Sequence, residues 1–171
     1  KVTKEAALKM QAIADPRLTI DTSYVEVNKG FNSKVTATLI TNEKNEILKD
    51  YKNEIQYSSS NDTAISVNKY TGSYNAIGVG DSMIMATTDS GLITMCTISV
   101  KQPSTSFVIN ETGIAKLYKG DTVQYTTKIA PSDTTDIVKW TSNNTSVATV
   151  SDTGLVTAKK VGTAKITATT T

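Results

Sequence analysis

Residues 139–170 read KWTSNNTSVATVSDTGLVTAKKVGTAKITATT. Thr, Val and Ile recur at every second position, which favours strands that bury one face. Two groups of turn-forming residues interrupt the pattern, and in the second, Asp152-Thr153-Gly154, the glycine is suited to a tight hairpin. Trp140 follows Val138 by two positions, so both side chains face the same side of a strand. A large ring in mid-strand is suited to fill the core of a thin β-sandwich.

An internal repeat lies upstream of this stretch. Residues 72–88, GSYNAIGVGDSMIMATT, align with residues 154–170, GLVTAKKVGTAKITATT, at a constant offset of 82. Farther upstream, IQYSSSNDTAISV matches VKWTSNNTSVATV, with Tyr57 opposite Trp140. A slip of one residue at the intervening turn separates the two blocks. The repeat predicts two copies of one domain, joined near residues 101–104.

The second copy closely resembles the bacterial Ig-like domain family, group 2. The resemblance rests on an aromatic residue, a turn rich in Ser and Asn, SVATV, a hairpin with Gly154, VTA, and the run GTAKITA. The first copy departs from it, with Tyr57 for the usual Trp, AISV for SVATV and GDSMIMA for the last run. The resemblance implies an Ig-like sandwich of about 80 to 90 residues per copy. It also implies tandem domains in bacterial surface, S-layer, cell-wall or phage virion proteins, and it carries no catalytic residues.

A helix is predicted at residues 3–14, TKEAALKMQAIA. Thr3 can cap its start, and Asp15-Pro16 ends it. The predicted fold class is therefore all-β, with two tandem immunoglobulin-like β-sandwiches and a short N-terminal helix. The predicted domains are a helical segment at 1–15 that ends an upstream region, an Ig-like domain at 16–102, and a second at 103–171 that is incomplete at its C-terminus.

Composition removes several kinds of chemistry. The chain of 171 residues has no histidine and one cysteine, Cys96. Ser/His/Asp and Cys/His catalysis, most zinc sites and an intrachain disulfide are thereby excluded. Alternation in LITMCTISV places Cys96 on a buried strand face, where a thiol acts as a small hydrophobic group. An extracellular chain without disulfides is more typical of Gram-positive bacteria or phage than of animals.

The charge pattern argues against a nucleic-acid partner, and the hydropathy argues against membrane insertion. Formal net charge is +2, and Arg17 is the sole arginine. The lysines are scattered singly among acids, and the pair Lys159-Lys160 fits a solvated turn. No apolar run approaches the ~20 residues of a membrane helix. The expected partners are other domains of a longer parent chain and a glycan or protein of the cell wall or host surface.

No residue pattern predicts a chemical site. The acids at predicted turns do not form a calcium loop, and turn formation explains them. Exposed aromatic residues for sugar binding are not expected, because Trp140 is assigned to the core and the tyrosines partly alternate inward. Asn110 and Asn143 begin formal glycosylation sequons that we attribute to coincidence. No catalytic residue, metal ligand or cofactor is predicted, and no ligand-binding residue is named. The acids are Asp81, Asp89, Asp133, Asp136 and Asp152, and the tyrosines are Tyr24, Tyr51, Tyr70, Tyr74, Tyr118 and Tyr125.

The favoured hypothesis is a non-enzymatic structural or adhesive module that spaces or presents neighbouring domains at a bacterial surface. The alternative is an Ig-like part of a phage virion protein, from capsid or tail. A third possibility is an accessory domain of a secreted carbohydrate-active enzyme. The chain lacks a starting Met, so an excerpt of a longer protein is expected.

The two copies end differently. In the first, residues 79–88 lead through a turn into Leu92–Val100, another alternating strand. In the second, residues 161–171 have no such successor. An unpaired sheet edge is unfavourable for an isolated domain. The expectation is that the natural chain continues past Thr171 or that another chain supplies the strand.

Overall fold

A computed structural model describes residues 16–40, 55–111, 113 and 115–171, and these residues form two compact units. Unit 1 spans Lys1–Val100 and unit 2 spans Lys101–Thr171. The predicted helix at 3–14 lies outside the described residues, as does Tyr51. The predicted domain boundaries after residues 15 and 102 stay predictions.

Unit 1 consists of strands in its described part, arranged in three sheets. The largest has the order β2-β9-β8-β5, a second has the order β3-β7-β6, and a third pairs β1 with β4. Side chains from the two larger sheets share one hydrophobic core. The strands are β1 (Arg17–Ile20), β2 (Tyr24–Asn28), β3 (Asn32–Lys34), β4 (Ala37–Ile40), β5 (Ile55–Ser59), β6 (Ile65–Val67), β7 (Ser73–Ala76), β8 (Gly80–Thr88) and β9 (Ile93–Lys101).

Unit 2 repeats this plan with fewer strands in its described part. Its sheets are β10-β12, β11-β15-β14 and β13-β16. They correspond in order to β1-β4, to β3-β7-β6 and to the β5-β8 half of the largest sheet. The strands are β10 (Ser106–Ile109), β11 (Thr122–Gln124), β12 (Thr127–Ala130), β13 (Val138–Ser142), β14 (Ala148–Val150), β15 (Leu155–Ala158) and β16 (Ile166–Thr170).

Strand pairing follows the same register in both units. Tyr57 lies opposite Ala86 in the β5-β8 pair, and Trp140 lies opposite Ala168 in the β13-β16 pair. The one-residue difference lies in a single turn, which spans 68–72 in unit 1 and 151–154 in unit 2. The predicted fold class, all-β with two immunoglobulin-like sandwiches, is confirmed for the described residues.

The two aromatic rings fill the cores, as predicted. Tyr57 is 7% exposed and Trp140 is 8% exposed. Each ring packs against a glycine with positive φ, Gly72 at +71° and Gly154 at +85°. A Cβ at either glycine would lie 2.4 Å from a backbone carbonyl oxygen. It would also lie 2.9 Å from the Tyr57 ring at Gly72 and 3.0 Å from the Trp140 ring at Gly154. Both turns therefore need glycine for its conformation and for its size.

Three details of the predicted strands were wrong. The alternation of side chains in residues 34–39 and 122–129 predicts one strand in each stretch, but both are divided, at Val35-Thr36 and at Tyr125-Thr126. The chain passes from one sheet to another at these points, since β3 and β4, and likewise β11 and β12, pair in different sheets. Asp81 was placed in a turn, but it lies in β8, where it accepts a hydrogen bond of 2.6 Å from the Ser99 hydroxyl on β9.

Candidate functional site

The clearest difference between the units concerns the neighbours of β9. In unit 1, β9 lies between β2 and β8 and pairs antiparallel with β8 from Gly80 to Thr87. Its inward side chains, Cys96, Ile98 and Val100, are fully buried. β9 therefore closes one side of the core and joins β2 to the sheet.

In unit 2, β16 pairs with β13 on one edge, and no described strand pairs with its other edge. Thr171 and Ile137 exchange two backbone hydrogen bonds of 3.2 and 3.3 Å across the β13 edge. Because backbone groups alternate in direction along a strand, Ile166, Ala168 and Thr170 direct their N–H and C=O groups to the opposite edge. The corresponding groups of Ile84 and Ala86 face β9.

The segment before β16 differs in the same way. Gly80–Met83, the first part of β8, pairs with β9 but has no partner in β5. The equivalent residues 162–165 are not a strand. Lys165 is nevertheless held as Met83 is held: its N–H donates to Asn143 Oδ1 at 2.7 Å, as the Met83 N–H donates to Ser60 Oγ at 2.8 Å. The chain follows the same path at this point in both units, but it pairs with a further described strand only in unit 1.

Residues 115–118 precede the same turn in unit 2 that β2 precedes in unit 1. The register is fixed by the following turn, because Gly30 donates to Ala76 O at 2.7 Å and Gly120 donates to Ala158 O at 2.8 Å. β2 pairs with β9 and with no other described strand. In unit 2, residues 115–118 are not in a strand, and Tyr118 is 85% exposed.

Burial of equivalent side chains reflects these differences. Ile84 and Ala86 are fully buried in unit 1, whereas Ile166 and Ala168 are only partly buried in unit 2. Val161 is 94% exposed, against 37% for its counterpart Val79. Residues 115–118, residues 162–165 and β16 are the parts of unit 2 whose counterparts in unit 1 pair with β9. The sequence comparison indicated the edge of β16 but missed residues 115–118, because nothing in those residues shows that β2 depends on β9.

Two of the groups considered for chemistry, Cys96 and Tyr74, lie in the core of unit 1. Cys96 is buried as predicted, and burial, followed by the charge of Asp21, raises the pKa of its thiol. Burial likewise raises the pKa of Tyr74. Among the described residues, no group of three or more His, Cys, Asp or Glu side chains is placed to hold a metal ion. The same residues contain no helix long and apolar enough to cross a membrane.

Asp136 holds the start of unit 2 in place. Its Oδ2 accepts hydrogen bonds from the Ser104 hydroxyl at 2.5 Å and the Ser104 N–H at 2.9 Å. These two bonds lower the pKa of the Asp136 carboxyl. Thr135 N–H donates to Gln102 O at 2.8 Å in the same cluster. Asp136 is therefore a structural contact, and Asp89, Asp133 and Asp152 lie in turns as predicted.

The other candidates have structural contacts or exposed positions. Asn143 supports Lys165, and Asn110 Nδ2 donates to Thr126 Oγ1 at 2.6 Å. Lys159 and Lys160 are exposed as predicted, and their N–H groups donate to Val147 O. Among the described tyrosines other than Tyr57, three are exposed, namely Tyr24, Tyr70 and Tyr118. Tyr125 is partly buried and Tyr74 is buried.

The outer face of β8 and β9 carries several exposed apolar side chains. Met83 and Met95 are exposed, and Met95 lies directly opposite Met85, which is partly buried. Ile93 is exposed beside them. In unit 2 the positions of Met83, Met85 and Thr87 hold Lys165, Thr167 and Thr169. The two equivalent faces therefore present different surfaces.

Known proteins match this chain in part. Over 165 residues it is 32% identical to an uncharacterized protein of Clostridium acetobutylicum, with 85% of this chain and 17% of that protein covered. Over 58 residues it is 50% identical to a protein named lacto-N-biosidase of Bifidobacterium bifidum, with 34% of this chain and 5% of that protein covered. The chain thus spans less than a fifth of the length of these curated relatives.

Solved structures resemble the chain only at a coarse level. Domains 4 and 5 of the S-layer protein SbsC are 18% identical, with a TM-score of 0.37 and 93% of each chain covered. Mouse cadherin-23 EC22-24 is 15% identical, with a TM-score of 0.43, and 85% of this chain and 55% of that chain are covered. The family model of the bacterial Ig-like domain, group 2, matches residues 103–171. This stretch of the chain belongs to the bacterial Ig-like domain family, group 2.

Proposed function

We propose that the chain is a non-enzymatic structural module of a bacterial surface protein, whose two sandwiches space or present neighbouring domains outside the cell. The family membership of residues 103–171 carries this proposal. The side chains that were considered for chemistry have structural contacts instead, which supports this proposal. Tyr57, Trp140 and Cys96 fill cores, while Asn143 and Asp136 hold loops together.

A spacer works by holding its neighbours apart, so its surface has no need to bind a ligand. The test places the chain between a cell-surface anchor and an epitope tag on a bacterium. We expect antibodies to reach the tag as well as they do on a folded spacer of similar length. A matched control carries Gly72→Ala and Gly154→Ala, which destabilise both sandwiches. Equal access to the tag with this variant and with the parent would contradict a role for the folded units.

A second measurement separates spacing from adhesion. The purified chain is added to whole bacterial cells, cell-wall polysaccharide and host matrix proteins. A spacer is expected to bind none of them. Saturable binding to one of them, lost in the double glycine variant, would replace the spacer proposal with an adhesin whose partner is a cell-wall or host-surface glycan or protein.

A second candidate is an accessory domain of a secreted carbohydrate-active enzyme. The local match to the protein named lacto-N-biosidase favours it. The parent sequence tests this candidate directly, since a catalytic domain on either side of these residues would support it. A cell-surface anchor or further Ig-like domains in the parent sequence would favour the surface module. The comparisons lend no support to the phage virion alternative.

A further inference from the structure

We propose that the outer face of the hairpin formed by β8 and β9 binds one Cu(I) ion through the thioether sulfurs of Met83, Met85 and Met95. We name these three residues the methionine triad. Such a site is compatible with a spacer and does not require one. The placement of the three side chains, their exposure and the preference of thioether sulfur for soft cations carry the proposal.

The antiparallel register brings the triad to one face of the hairpin. Met85 lies directly opposite Met95, and Met83 lies two residues before Met85 on the same strand. Because side chains alternate along a strand, Met83 and Met85 project from the same face. Ile84 and Cys96, which alternate with them, are fully buried on the inner face. All three methionines therefore stand on the outer face.

The pairing pattern places Met85 and Met95 close together. Thr88 N–H donates to Leu92 O at 3.0 Å, so this pair at the end of the hairpin is hydrogen-bonded. Bonded and non-bonded pairs alternate along an antiparallel ladder, so Met85 and Met95, three pairs farther on, form a non-bonded pair. The Cα atoms of such a pair are about 4.5 Å apart, and the side chains are closer than in a bonded pair. Met83 lies about 7 Å from Met85 along β8.

The methionine side chain is long and flexible enough for three sulfurs to meet above these positions. It is unbranched and has three rotatable bonds, so its sulfur can take several positions above the sheet. Met83 and Met95 are 41% and 48% exposed, and Met85, which neighbours both, is partly buried. A cation can therefore reach the triad from solvent and contact sulfur on three sides.

Three thioether sulfurs select a soft cation. Thioether and thiolate ligands favour Cu(I), whereas carboxylate, carbonyl and water ligands suit Mg²⁺, Ca²⁺ and Mn²⁺. Zinc sites use thiolate, imidazole or carboxylate ligands. Among the described residues, no three such groups lie together. The triad therefore fits Cu(I) better than it fits a divalent cation.

The side chains that adjoin the triad on the paired strands do not repel a cation. Met83 lies opposite Thr97 on β9, and Met85 lies opposite Ser58 on β5. Both neighbours are uncharged. Asp81, two residues before Met83, is exposed and acidic. The local charge is therefore neutral or negative, which favours a bound cation.

Unit 2 provides an internal comparison for this face. Its residues at the positions of Met83 and Met85 are Lys165 and Thr167. The lysine replaces a sulfur with an ammonium group that repels a cation, and the threonine offers no soft ligand. We therefore expect the site in unit 1 and not at the equivalent face of unit 2.

The test measures Cu(I) binding to the 171-residue chain without oxygen, in competition with a coloured Cu(I) chelator. We expect one Cu(I) ion per chain. Ag(I) is a soft cation of the same charge and should shift the NMR signals of three of the four methionine methyl groups. The control Met10→Leu removes the fourth methionine. It should leave Cu(I) binding unchanged and identify the methyl signal that does not shift.

Leucine variants test each ligand. Met83→Leu, Met85→Leu and Met95→Leu keep a similar apolar volume and remove one sulfur each. Each should weaken Cu(I) binding about tenfold or more. The triple leucine variant should lose the site while its thermal unfolding stays close to that of the parent.

The thiol of Cys96 is the other soft ligand of the hairpin, and it is buried on the inner face. Cys96→Ala should therefore bind Cu(I) as tightly as the parent. Cys96→Val replaces it in the test if the alanine variant does not fold.

Four results would overturn the proposal. The first is Cu(I) binding that is no tighter in the parent than in the triple leucine variant. The second is a single leucine variant of the triad that binds Cu(I) as the parent does. The third is loss of binding when the thiol is removed and the triad is intact. The fourth is one Cu(I) ion per two chains, which would place the site between copies.

Discussion

Unit 1 and unit 2 share strand registers, a core aromatic ring and a glycine beneath that ring, yet they bury their cores to different degrees. Ile84 and Ile166 hold equivalent positions, and only Ile84 is fully buried. The difference comes from neighbouring strands, since β9 pairs with β8 beside Ile84 and no described strand takes its place beside Ile166. A core residue in a sandwich is therefore defined by the strands around it as well as by its own sequence position.

The largest expected effect compares these two isoleucines. Ile84→Ala should lower the free energy of unfolding of unit 1 by about 3–5 kcal/mol, because it removes a fully buried side chain and leaves a cavity. Ile166→Ala should cost unit 2 about 1–2 kcal/mol, because its side chain is already partly in water. Urea unfolding measures both, with labelling of the Cys96 thiol for unit 1 and Trp140 fluorescence for unit 2. Equal losses would contradict the difference in burial.

The two glycines under the rings should behave alike, since their surroundings are the same. Gly72→Ala and Gly154→Ala should each cost about 2–4 kcal/mol of unfolding free energy, because the new Cβ meets a carbonyl oxygen and the ring at positive φ. Thermal unfolding monitored by the same two probes measures this. The matched controls are Gly30→Ala and Gly120→Ala, where φ is also positive but no atom lies within 4 Å of the new Cβ. Their cost should be about 1 kcal/mol, from the backbone conformation alone.

Tyr57 makes a hydrogen bond through its hydroxyl, a group that Trp140 lacks at the equivalent position of unit 2. Its hydroxyl accepts a hydrogen bond of 3.0 Å from the buried N–H of Ala37. Tyr57→Phe should therefore destabilise unit 1 by about 1–2 kcal/mol, because the N–H is left without this acceptor. Urea unfolding with thiol labelling of Cys96 measures the loss. Tyr24→Phe at an exposed position of the same unit should change stability by less than about 0.5 kcal/mol.

The smallest expected effect is the pH dependence of unit 2. The Ser104 hydrogen bonds lower the pKa of Asp136, so the folded state favours the carboxylate. Their contribution should be present above the ordinary pKa of an aspartate and lost as the pH falls through the lowered value in the folded state. Asp136→Asn should remove this part of the pH dependence of the Trp140-monitored unfolding midpoint. A midpoint that responds to acid equally in the variant and the parent would assign the effect to another group.

The sequence predicted those features that depend on local pattern. Trp140 and Cys96 were placed in cores because alternation assigns each to a strand face, and Gly154 was assigned to a turn from its neighbours. The divided strands at Val35 and Tyr125 could not be predicted, because alternation continues while the chain changes sheets. Asp81 was misplaced since its glycine neighbour is typical of turns. The difference at the outer edge of β16 depends on which strands lie side by side, and no single segment carries that information.

The methionines of the outer face of β8 and β9 give unit 1 a chemical reactivity that unit 2 lacks at the equivalent positions. Met83, Met85 and Met95 are three of the four methionines in the chain, and two of them are exposed. Oxidation of a thioether to the sulfoxide turns an apolar side chain into a polar one. Lys165, Thr167 and Thr169 have no sulfur to oxidise. In an oxidising environment the first sandwich would change its surface over time, while the equivalent face of the second would keep its chemistry.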